Sequence, residues 1–179
     1  SEVKKKQRDS VAYLGYEKSV LEELGDVLWY LAAVSARANL RLDELAVNID
    51  RSLSDWQSTG SSDLGFDTLE TQTSGIASSP SPAFERRLLA LAGEVGLLMT
   101  DHYAGRLERN RSALKGRLIA ILRALRDAAH EAGITLEDAA RANLEKIFDR
   151  WPTERHYPAL FDATFPENEQ LPRKLMVDI

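Results

Sequence analysis

Apolar residues return every three or four positions along most of this chain, and that rhythm predicts helices rather than strands. The first runs from about Tyr16 to Asn39, with Leu21, Leu24, Leu28 and Leu31 on one face. A shorter helix is predicted from about Asp43 to Trp56, burying Leu45, Ile49 and Leu53. Residues 57–82 break the pattern. Over half of them are Ser, Thr, Gly or Pro, so the stretch reads as a flexible linker, with Leu64, Phe66 and Leu69 available to pin it. Helices resume over 83–104, with Phe84, Leu88, Leu91, Val95 and Leu98 in register, and over 111–132, with Leu114, Leu118, Ile121, Leu122 and Leu125. The last helix opens after Gly133, where Thr135 is placed as N-cap and Asp138 three residues on completes something close to a capping box. It runs to about Trp151, where Pro152 stops it. Residues 152–179 carry four of the six prolines and read as an extended arm. The expected class is all-α: a helical bundle in two halves with a C-terminal arm.

The halves come from a repeat. LRLDELAVNIDRSLSDW at 40–56 and ITLEDAARANLEKIFDRW at 134–151 share an acidic helix start, an Asn followed three residues later by a basic residue, and a closing Asp and Trp. Upstream, EELGDVLWYLAAVSA occupies the place of KGRLIAILRALRDAA. The reading is one helical module used twice: a first half at 1–56, the linker at 57–82, a second half at 83–151 and the arm at 152–179.

Composition narrows the chemistry. The net charge is -5, which argues against a nucleic-acid partner, since that needs a basic footprint. With no cysteine, disulfides, zinc–thiolate sites and thiol nucleophiles are excluded. No apolar run approaches a membrane span, and the basic N-terminus has no apolar segment behind it to make a signal peptide; a cytoplasmic location is expected. His102, His130 and His156 have no helical pairing and no nucleophile beside them, so a Ser/His/Asp triad is rejected, and no Gly-rich phosphate loop is present.

Within residues 22–31, EELGDVLWYL, the spacing puts Glu23, Asp26 and Tyr30 on one helix face, away from the leucines. Two carboxylates one turn apart suit a hard cation that keeps its remaining positions for water and phosphate. Taken alone, such a pair is more often a solvated acidic stripe. Gly25 lies between them, and a mid-helix Gly costs about 1 kcal/mol against Ala, which calls for a packing or access reason. Trp29 is expected in the core.

Together these residues resemble the MazG-like all-α nucleoside triphosphate pyrophosphohydrolases, which include the dimeric dUTPases and the dCTP pyrophosphatases. That family carries a Glu-x-x-Glu pair on one helix, a Glu-x-x-Asp pair within ELGD on the next, and a later Asn and Lys that meet the nucleotide. The resemblance implies Mg²⁺ (or Mn²⁺) at Glu23 and Asp26 as metal ligands and catalytic residues. It also implies substrate contacts from Tyr30, from Asn48 and Arg51, and from Asn143 and Lys146, with hydrolysis of a nucleoside triphosphate to the monophosphate and pyrophosphate. The chain departs from the pattern in three places. The first Glu-x-x-Glu would fall before Ser1, with Lys4, Lys5 and Lys6 just after it. In LAGEVGLLM only Glu94 remains, Leu97 standing at the second Glu position. The second ELGD is Arg117-Leu-Ile-Ala120. The second half therefore reads as a degenerate copy, and a homo-oligomer or an upstream segment is expected to complete the bundle. The alternative from another class is a non-catalytic helical module that binds nucleotide or protein.

Overall fold

The computed structural model describes residues 15–57, 66, 69, 75 and 79–150. Lys4 to Lys6, Leu64 and the arm at 152–179 lie outside them. Among the described residues the structure is helix and turn, with no strand. The chain divides into two units, Ser1–Glu145 and Lys146–Ile179.

In the first unit, α1 (Tyr16–Arg37) is followed by a short α2 (Leu42–Val47) and a single 3₁₀ turn at Leu53–Asp55. After the segment around Phe66 and Leu69 come α3 (Pro82–Tyr103), a short turn of helix, α4 (Arg106–Arg109), and α5 (Arg111–Ala132). The last helix, α6 (Leu136–Arg150), starts in this unit and ends in the second. Sequence periodicity places α1, α3, α5 and α6 to within a residue or two and misses α4.

The centre of the unit is α5. Leu118, Ile121, Leu122 and Leu125 are buried, and small Ala128, Ala129 and Ala132 let neighbours come close at its far end. Each fully buried leucine contributes about 1.5–3 kcal/mol. Against α5 lie the inner face of α1 (Tyr16, Val20, Leu24, Leu28, Leu31) and that of α3 (Phe84, Leu91). Leu69 is buried in the same core with Phe66 packed on it, so this part of the 57–82 stretch is pinned. α3 runs antiparallel to α5: Arg87 pairs with Asp127 at 3.4 Å near one end, and Arg117 Nε donates to Asp101 Oδ2 at 2.6 Å near the other.

Two helical hairpins, α1–α2 and α5–α6, are built alike. Both α1 and α5 have 22 residues. Each is followed by a left-handed residue, Asn39 (φ 52°) and Gly133 (φ 73°). Leu40 N donates to Ser35 O at 2.9 Å, and Ile134 N donates to Ala129 O at 3.0 Å, the same closing bond 94 positions on (134 − 40 = 94). Such turns satisfy the last helical carbonyls and send an apolar residue back to the core. Leu40 and Ile134 are both buried.

The hairpins then diverge. Instead of one helix to Trp56, α2 stops at Val47, and Leu53, expected inside, is exposed. Asn48 explains the stop. Its Nδ2 donates to Glu44 O and to Gln57 O, and its Oδ1 accepts from Gln57 N at 2.8 Å. A side chain that pairs with the backbone nine residues on competes with the helix ladder. Across the same end, Arg123 Nε donates to Ile49 O at 3.1 Å, Arg126 pairs with Asp50, and the Lys115 ammonium sits 3.8 Å over the Trp56 ring.

The helix starts are capped as their sequences ask. Ser81 Oγ accepts from Phe84 N at 3.0 Å with Pro82 next in line, and Thr135 Oγ1 accepts from Asp138 N at 3.0 Å. Ser81→Ala is expected to lower stability by about 1 kcal/mol, read as a lower urea midpoint with an unchanged slope.

Candidate functional site

The site forms where α6 crosses α1. The two helices come close at Gly25: a Cβ there would lie 2.3 Å from Ala139 O and 2.9 Å from Asn143 Cβ. Glycine is what the crossing requires, and this accounts for its presence mid-helix. One residue on, Asp26 is half-buried and its Oδ1 accepts a hydrogen bond from Asn143 Nδ2. Asn143 is 3% exposed, and its other polar atom, Oδ1, is buried with no hydrogen-bond partner. An orphaned buried acceptor is costly, about 1–3 kcal/mol, and asks what donor or cation it serves. Glu23 is exposed on the same stripe of α1, with Glu22 half-buried beside it. Leu24, Leu28 and Leu31 are buried on another face, so the carboxylates and the leucines separate as the spacing predicts.

The other expected site residues fall differently. Tyr30 is 69% exposed on α1, and its ring is free of the core. Trp29, expected inside, is 48% exposed. Its position, one step round from Leu28, carries it off the buried stripe. Asn48 and Arg51 serve the chain itself: both amide hydrogens of Asn48 are spent on backbone carbonyls, and Arg51 Nε donates to Val47 O at 3.2 Å. Asn48 thus has no amide hydrogen left for a nucleotide. Lys146 lies three residues beyond Asn143 in α6, within the second unit.

No family model, curated protein or solved structure matches the chain. Among the described residues, no group of three His, Cys, Asp or Glu side chains comes together as a metal cage.

A second polar cluster lies between α3 and α5, and sequence spacing alone did not single it out. Asp101 is buried and accepts from Arg117 Nε at 2.6 Å and from Arg106 Nε at 2.8 Å, while Arg117 also reaches Glu94 at 4.0 Å. The signal was Glu94 and Asp101 seven residues apart, on one face of α3. The Arg117 guanidinium sits between two carboxylates as their cation. Hydrogen bonds from Arg117 and then Arg106 hold the Asp101 carboxyl below the usual carboxylate range. A depressed carboxyl stabilises the fold above its unfolded-state pKa, and that contribution is lost as pH falls through the lower folded value. The stability gap between the wild type and Asp101→Asn is therefore expected to be full at neutral pH and to close on acidification below about pH 4, measured as urea midpoints across the acid range.

Proposed function

We propose that the chain is the tandem form of a MazG-like helical module and hydrolyses nucleoside triphosphates to monophosphate and pyrophosphate, with Mg²⁺ bound at the α1–α6 crossing. The observation that carries this reading is the buried Asn143 amide, bonded to Asp26 on one side and unpartnered at Oδ1 on the other. A mid-helix Asn is a poor helix former. Here it joins the first hairpin's acids to the second hairpin's last helix. The matching turns of α1–α2 and α5–α6 support the duplicated module.

The donor set suits a hard divalent cation. Glu23 and Asp26 offer carboxylate oxygens at adjacent turns, and Mg²⁺ takes one or two carboxylates and leaves its other positions to water and phosphate. When bound, Mg²⁺ supplies charge neutralisation across the phosphate chain. The protein's own part is positional. The Asn143 Nδ2 bond fixes the Asp26 carboxylate. Tyr30 presents a phenolic hydroxyl along the same stripe. Water adds at the α-phosphorus, the bond to the bridging oxygen breaks, and pyrophosphate departs, with the water's proton released to solvent.

The second reading is a helical module that binds nucleotide without cleaving it. It is favoured by the commitment of Asn48 and Arg51, both expected at the nucleotide, to internal bonds. A panel of nucleoside triphosphates assayed for pyrophosphate release with Mg²⁺ separates the two. Metal-dependent release supports the first reading. Calorimetric binding of a non-hydrolysable analogue, with no release from any triphosphate, establishes the second.

A further inference from the structure

We draw no further inference here: the strongest candidate, the cluster of Glu94, Asp101, Arg106 and Arg117 where α3 meets α4 and α5, pairs its carboxylates and guanidinium groups with one another, and nothing among the described residues marks it for a ligand.

Discussion

Asp26→Asn is expected to cut Mg²⁺-dependent pyrophosphate release by at least about 100-fold while leaving the fold in place. The size follows from metal-site chemistry: removing even a residue that only supports a ligand commonly costs about 10–100-fold, and on the proposed reading an anionic oxygen donor is removed outright. Stability is spared for a specific reason. An asparagine at position 26 has the same shape and keeps a carbonyl oxygen that accepts from Asn143 Nδ2. The buried amide of Asn143 therefore stays satisfied on that side, and the urea midpoint is expected to move by less than about 1 kcal/mol equivalent. Asp26→Ala is the contrasting change, because it strands both polar atoms of Asn143 and lowers stability and activity together. Undiminished pyrophosphate release by Asp26→Asn would remove the metal from the crossing.

Gly25→Ala is expected to lower the unfolding free energy by about 2–3 kcal/mol, although alanine is the better helix former. Helix propensity alone favours the change by about 1 kcal/mol. The crossing reverses the sign. The new methyl would lie 2.3 Å from Ala139 O, a backbone atom that yields only if α6 moves. Thermal or urea unfolding reads the loss directly. If α6 shifts outward to make room, Asn143 moves off Asp26, and pyrophosphate release falls as well. A variant as stable as the wild type would mean that α6 does not pack on α1 at this point.

The helical class and the bounds of the long helices were legible from apolar spacing, because four of the helices bury a regular stripe. The separation of Glu23 and Asp26 from Leu24, Leu28 and Leu31 was legible for the same reason. Periodicity could not show that Asn48 ends α2, since the partner that ends it, the Gln57 backbone, lies nine residues on. Nor could it rank Trp29. An aromatic residue one step off an apolar stripe goes in or out according to which helices are present beside it. The Asn143–Asp26 bond spans 117 residues. Spacing marks each partner as unusual, a mid-helix Asn and an acid next to glycine, but only the crossing of α6 over α1 joins them.

Register separates the fates of the two matching asparagines. Asn48 comes six residues after the first residue of α2, whereas Asn143 comes seven after the first of α6. Seven residues is close to two full turns, which returns a side chain to the face it started from. With one residue fewer, the first asparagine falls just past its helix and becomes a clasp for the following loop. A difference of a single residue between two similar hairpins is thus enough to make one asparagine scaffold while the other stays at the crossing.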